Sequence, residues 1–119
     1  MSECKESVDV VYFESNDDGT IKDPEAMDAH GAGALAADED VIAGGDGFIY
    51  LHLPSNNDKG WSSSGALHVH RGKKPEGMSY PSWQMTGDVT KPETLTLHPS
   101  VWLKGTWHGW LRGGKLQSC

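Results

Sequence analysis

The chain of 119 residues has few cysteines and no long apolar run. Its two cysteines, Cys4 and Cys119, are too few for a disulfide framework or for a zinc site made of two CxxC pairs. No apolar stretch approaches the roughly 18 residues of a membrane-spanning helix, and the charged segment Met1 to Asp9 lacks the apolar core of a signal peptide. We therefore expect a single domain over residues 1–119, in the cytoplasm and without a membrane partner.

Basic residues are scarce in the first half of the chain. Residues 1–58 carry 14 acidic and 2 basic side chains, residues 59–119 carry 3 and 8, and the net charge is −7. The basic residues are scattered rather than clustered, and an acidic chain is repelled by a phosphate backbone. We therefore expect the partner to be a protein and not a nucleic acid.

Sustained helical periodicity is also lacking, and short β-type segments take its place. A hairpin turn is expected at Arg112-Gly113-Gly114. The pattern predicts an all-β or β-rich fold, a small sandwich or open barrel of short antiparallel strands. The predicted strands are Ser7 to Phe13, Phe48 to Leu53, Ala66 to His70, Trp83 to Thr86, Thr94 to Leu97, Ser100 to Leu103, Thr106 to Leu111 and Lys115 to Ser118.

Residues 14–46 interrupt this pattern with a long acidic, Gly/Ala-rich segment that holds ten acidic residues and one lysine. One helix is expected in it, from Pro24 to Ala29, with Asp23 as its N-cap. The remainder is interpreted as a loop, which makes the segment an insertion or flap. A second loop is expected at Pro54 to Gly65.

Histidines alternate with aliphatic residues along the predicted strands. The period of two puts Ile49, Leu51, Leu53, Leu67, Val69, Trp107 and Leu111 on a buried face, and His52, His68, His70, His108 and Trp110 along a partly exposed groove. Three or four imidazoles on adjacent strands can bind zinc and leave a position open for water. One hypothesis is therefore a zinc site formed by His52, His68, His70 and His108.

A serine and a histidine near the C-terminal end are candidates for nucleophilic catalysis. Ser100 follows Pro99, and His108 lies eight residues further on, so a tight turn near Lys104-Gly105 would bring the two strands face to face. Gly105 and Gly109 are expected to leave room for the backbone of a substrate. In this interpretation Ser100 attacks a carbonyl group, His108 is the general base, and His68 or Asp88 orients the base.

The same C-terminal segments resemble a bacterial and phage family. The matching residues are Trp83, Gly87-Asp88, Pro92, Thr94-Leu95 and Pro99-Ser100, followed by Trp107-His108-Gly109-Trp110-Leu111-Arg112-Gly113-Gly114. The family, BubE, comprises serine peptidases of bacterial ubiquitin-like operons, and the resemblance covers about residues 46–119. It implies that Ser100 and His108 occupy the nucleophile and base positions. Glu93 is inserted relative to the family pattern, His98 replaces a small residue, and the cysteines of many members are missing from 53–65.

Three functional hypotheses follow from these observations. The first is a small cytoplasmic serine peptidase-like hydrolase, phage-encoded and present in the host cytoplasm, that acts on a ubiquitin-like or other host protein. This first hypothesis requires no cofactor. The second is a histidine-ligated zinc protein. The third is a non-catalytic phage protein whose acidic segment 14–46 binds and inhibits a basic host defence protein.

Overall fold

The computed structural model describes residues 7–16, 20–55, 58–73, 76–77, 81–98, 100–103 and 107–118. Within these ranges the chain forms ten strands and two short helices. They are β1 (Ser7–Asp9), β2 (Val11–Tyr12), α1 (Pro24–His30), β3 (Ala34–Ala37), α2 (Glu39–Ile42), β4 (Gly47–Pro54), β5 (Trp61–His70), β6 (Ser82–Asp88), β7 (Lys91–His98), β8 (Val101–Leu103), β9 (Trp107–Arg112) and β10 (Lys115–Ser118).

The strands form two sheets, which confirms the predicted β-rich fold. One sheet has four strands in the order β1-β10-β9-β8, and the other has six in the order β2-β3-β4-β5-β6-β7. The two sheets together approach a closed barrel. Most pairs are antiparallel as expected, but β2 pairs with β3 and β5 with β6 in parallel. A parallel pair cannot be closed by a tight hairpin turn, so β5 and β6 are joined by a longer crossover.

Backbone hydrogen bonds at Gly114 connect the two sheets. The N–H of Val10, which lies between β1 and β2, donates to the Gly114 carbonyl at 2.8 Å, and the N–H of Gly114 donates to the carbonyl of Leu95 in β7 at 2.9 Å. Gly113 and Gly114 have φ of 56° and 75°, as a two-residue hairpin turn requires. The predicted Gly-Gly turn is thus confirmed, and it also holds the two sheets together.

The core consists of the inward-facing residues of both sheets. All seven residues predicted for the buried face are buried: Ile49, Leu51, Leu53, Leu67, Val69, Trp107 and Leu111. The expectation for the opposite face is only partly correct. His108 is exposed and His68 half-buried, but His52 and His70 are each 6% exposed. The ring of His52 stacks on Trp61, and the register of β4 with β5 shifts between Tyr50 and His52.

The acidic segment is more ordered than its composition suggests. Helix α1 is confirmed, with Asp23 Oδ1 accepting a hydrogen bond from the N–H of Ala26 at 3.0 Å. The expectation of a loop after α1 is wrong, because the four residues of β3 are buried and pair with β4. The predicted loop Pro54 to Gly65 is likewise too long, since β5 begins at Trp61. The interpretation of 14–46 as an insertion that binds a basic partner stays a prediction.

Asp38 attaches helix α2 to strand β4. Its two carboxylate oxygens accept hydrogen bonds from the N–H of Phe48 at 3.0 Å and from the hydroxyl of Tyr50 at 2.7 Å. Burial, followed by the hydrogen bond to Asp38, raises the pKa of Tyr50 to about 12. The Tyr50 hydroxyl therefore stays protonated and keeps donating to Asp38 throughout the neutral range.

Arg71 anchors the chain where it leaves β5. Its guanidinium donates to the carbonyls of Val41 at 3.0 Å and Gly45 at 3.4 Å, and also to the carbonyl of Gly87 at the far end of β6. Its backbone N–H donates to the carboxylate of Asp46 at 2.9 Å. These bonds join β5, β6 and the α2 region, so they support the parallel pairing of β5 with β6 that positions the candidate site.

Candidate active site

Two histidines and a serine come together at the start of β6. His68 and His70 in β5 and Ser82 in β6 all point away from the core, because their neighbours Leu67, Val69 and Trp83 point into it. The parallel register pairs His68 with Ser82, and His70 with Gln84. Ser82 Oγ lies 2.7 Å from Nδ1 of His68 and 2.7 Å from Nδ1 of His70.

These two contacts limit how the protons can be arranged. A serine hydroxyl has one hydrogen to donate and two lone pairs that accept. Ser82 can therefore donate to only one of the two Nδ1 atoms, and at least one imidazole donates its Nδ1–H to Ser82 Oγ. Ser82 is not among the candidate residues predicted from the sequence. Its signal is the Pro81-Ser82 dipeptide, which matches Pro99-Ser100, but only the register of β5 and β6 connects it to His68 and His70.

Ser100 lies where the chain passes from β7 of one sheet to β8 of the other. It is half-buried, and its carbonyl oxygen accepts a hydrogen bond from Nε1 of Trp83 at 3.2 Å. In the β6–β7 hairpin, Gln84 is opposite His98. Two residues further along this register, Ser100 would lie opposite Ser82. Ser82 and Ser100 thus lie toward the open end of one hairpin.

His108 is on the outer face of the four-stranded sheet, in an aromatic environment. Its ring centroid is 5.8 Å from that of Trp102 in β8 and 5.8 Å from that of Trp110, and the Arg112 guanidinium lies 4.9 Å from the Trp110 ring. Trp102 is 67% exposed. We call these four residues, Trp102, His108, Trp110 and Arg112, the aromatic face. It is a solvent-accessible apolar surface with one cation at its edge.

The relation between Ser100 and His108 follows from the β8–β9 register. Trp102 pairs with His108 and Val101 with Gly109. One residue further, Ser100 would lie opposite Trp110 and diagonal to His108, a separation that long side chains can span. The described hydrogen bond of Ser100 uses its carbonyl oxygen, and the described ring contacts of His108 are with tryptophans. The pairing of Ser100 with His108 therefore stays a prediction, and the turn near Lys104-Gly105 lies outside the described residues.

Two other expectations at this site are wrong. Gly109 does not leave room for a substrate, because a Cβ atom there would overlap the carbonyl of Gln117 and the ring of Trp107. Asp88 lies at the turn of the β6–β7 hairpin, and its carboxylate accepts hydrogen bonds from the N–H and hydroxyl of Thr90 at 2.9 and 2.7 Å. These bonds lower the pKa of Asp88. Asp88 closes the turn and is not beside Ser100, at the other end of the hairpin.

The four histidines of the zinc hypothesis do not converge. His108 is in the four-stranded sheet and the other three are in the six-stranded one. Phe48 pairs with His68, so His52 lies four residues further along β4, about 13 Å away. Among the residues that the structure describes, no group of three or more His, Cys, Asp or Glu side chains could hold a metal ion. The proposed His52, His68, His70 and His108 site is therefore not assembled, because strand alternation fixes a face but not the position along it.

His52 occupies a different environment, between β5 and α1. Its ring stacks on Trp61 with centroids 3.9 Å apart and planes 14° from parallel. Its Nδ1 is buried without a hydrogen-bond partner. Burial lowers the pKa of His52, and a hydrogen bond to the Gly31 backbone partly opposes this effect. The neutral ring is thus the form that suits the fold.

We expect His52 to make the protein less stable in mild acid. The unfolded chain protonates this side chain below its ordinary pKa of 6.5, whereas the folded chain resists protonation. The stabilisation is thus complete above pH 6.5 and is lost as the pH falls through and below that value, by at most about 1.4 kcal/mol per pH unit for one proton. Urea unfolding at pH 7.5 and 5.5 measures it. His52→Phe, which keeps the stacking on Trp61, should lose less stability between the two pH values than wild type. An equal loss in both proteins would contradict the assignment.

Comparison with known proteins gives a family for this chain. Residues 58–119, somewhat more than half of the chain, match the model of the family described as bacterial ubiquitination-like system serine protease (BubE). The chain belongs to this family. The matched residues include β5 to β10 and therefore Ser82, Ser100 and all histidines of the site except His52. No curated protein and no solved structure matches the chain.

Proposed function

We propose that this protein is a serine protease that cleaves a protein substrate, with Ser100 as the nucleophile and His108 as the general base. The observation that carries the proposal is the family match over residues 58–119, which contains both residues. The β8–β9 register supports it, because Ser100 directly precedes Val101, which pairs with Gly109, the residue after His108. Neither of the described helices could cross a membrane.

The chemistry assigned to the two residues is acyl transfer in two steps. Ser100 Oγ forms a bond to the carbonyl carbon of the substrate while a ring nitrogen of His108 takes the serine proton. His108 then gives this proton to the leaving amine, and the peptide C–N bond breaks. A water molecule, deprotonated in the same way, hydrolyses the acyl ester and restores Ser100. His68 is predicted from the sequence to orient the base, but the described partner of His68 Nδ1 is Ser82.

The substrate that we infer is a ubiquitin-like or other host protein rather than a small molecule. The family is named for a bacterial ubiquitination-like system, and Trp102 of the aromatic face is 67% exposed. Exposed tryptophans contribute large contact areas to protein recognition. The cytoplasmic location and the phage origin stay proposals of the sequence analysis.

Labelling with a fluorophosphonate tests the nucleophile. We expect wild type to form an adduct on the peptide that contains Ser100, and Ser100→Ala to lose this adduct while its melting temperature is kept. The matched control is Ser7→Ala, an exposed serine on β1 of the four-stranded sheet, which should leave labelling of Ser100 unchanged. A wild-type protein that carries no adduct on the Ser100 peptide would overturn the proposal.

A further inference from the structure

We propose that Ser82 is a second nucleophilic serine, activated by His68 and His70, which forms covalent adducts with activated acyl and phosphonyl groups. This inference goes beyond the proposed function and does not require Ser100 to be reactive. It depends on two contacts with one oxygen atom. Nδ1 of His68 and Nδ1 of His70 each lie 2.7 Å from Ser82 Oγ.

The arrangement supplies a base and a hydrogen-bond donor to the attacking serine. A hydroxyl becomes a good nucleophile when a base within hydrogen-bond distance takes its proton during the attack. In the proposed site one of the two imidazoles has an unprotonated Nδ1 that accepts from Ser82, and this imidazole is such a base. The other imidazole, which donates its Nδ1–H to Ser82 Oγ, stabilises the negative charge that develops on this oxygen. Two imidazoles on one hydroxyl thus have distinct and complementary roles.

The site is held by rigid elements on three sides. His68 and His70 are both in β5, and Ser82 is in the adjacent β6, with His68 directly opposite it. The ring of His70 is 6% exposed, and the ring of His68 packs edge-on against Phe48 with centroids 5.1 Å apart. Side chains on paired strands keep their geometry better than side chains on loops. The short contacts therefore belong to the fold and do not need a substrate to form them.

Ser82 is accessible to small electrophiles. It is half-buried on the outer face of the sheet, and its neighbours Pro81 and Gln84 are exposed. With a fluorophosphonate, the bond from Ser82 Oγ to phosphorus forms while the phosphorus–fluorine bond breaks. The fluoride ion leaves, and the serine proton passes to the accepting Nδ1 and then to water. With an activated ester, the alcohol or phenol is the leaving group instead.

Peptide mapping after fluorophosphonate treatment tests the inference. We expect an adduct on the Ser82 peptide in wild type and in Ser100→Ala, and none on that peptide in Ser82→Ala. A Ser82 peptide without adduct in both wild type and Ser100→Ala would overturn the inference, whatever the state of the Ser100 peptide. The two proposals therefore fail separately, because each has its own modified peptide.

The role of the imidazoles is tested by His68→Asn and His70→Asn. An asparagine keeps a polar atom near the position of Nδ1 but does not act as a base. We expect the double variant to label Ser82 at least about 100-fold more slowly than wild type. The exposed His98→Asn is the matched control and should label at the wild-type rate. Equal rates in the double variant and wild type would overturn the assignment of the base, and a melting curve verifies that each variant is folded.

Discussion

His108→Ala is expected to slow the modification of Ser100 by a fluorophosphonate by a factor of about 100 to 10,000. This range is the usual contribution of a general base to a reaction in which a proton is transferred. His108 is exposed on β9, and its described contacts are ring contacts with Trp102 and Trp110. Its loss should therefore cost reactivity while the melting temperature changes little. The measurement is the second-order rate of adduct formation on the Ser100 peptide, so a reaction at Ser82 does not contribute.

One control separates the base from the aromatic face around it. Trp110→Phe keeps an aromatic ring next to His108 and should change the rate only a few-fold. A His108→Ala variant that modifies Ser100 at the wild-type rate would show that Ser100 uses another base.

Gly109→Ala is expected to be the most destabilising single substitution that we propose, by about 3 kcal/mol or more. Gly109 is at the centre of β9 and pairs with Val101 on one side and Ser118 on the other. A methyl group there would overlap a backbone carbonyl, that of Gln117, and the buried ring of Trp107. A backbone atom in a paired strand cannot move aside at low cost, and overpacking of this kind strains the sheet. A small domain should lose more than about 10 °C in melting temperature.

The matched control for this substitution is Gly72→Ala. A Cβ atom at Gly72 would meet no heavy atom within 4 Å, and its φ is outside the left-handed region. Surface changes of this type usually alter stability by less than about 0.5 kcal/mol. If the two variants unfold at similar urea concentrations, the packing of Trp107 against Gly109 is not as described. The result also concerns the candidate active site, because His108 lies between Trp107 and Gly109 in the chain.

Local features of the chain were predictable from the sequence because they depend on neighbours in the chain. The alternation of Leu67, His68, Val69 and His70 specifies which side chains face the core, since a strand has a period of two. The same holds for the N-cap at Asp23 and for the turn at Gly113-Gly114, which require particular residue types at particular positions. The likeness of Pro99-Ser100 and His108 to a protease family likewise depends only on residue types and their spacing along the chain.

Relations between distant segments were decided by the tertiary structure. β3 has only four residues, all small or aliphatic, and becomes a strand because it packs between β2 and β4. The parallel pairing of β5 with β6 brings Ser82 to His68 and His70, and the division into two sheets separates His108 from both. Alternation determines the face on which a side chain lies, but its partner across the sheet depends on which strands pair and in which register. That choice is made by packing of the whole core, because no local sequence signal encodes it.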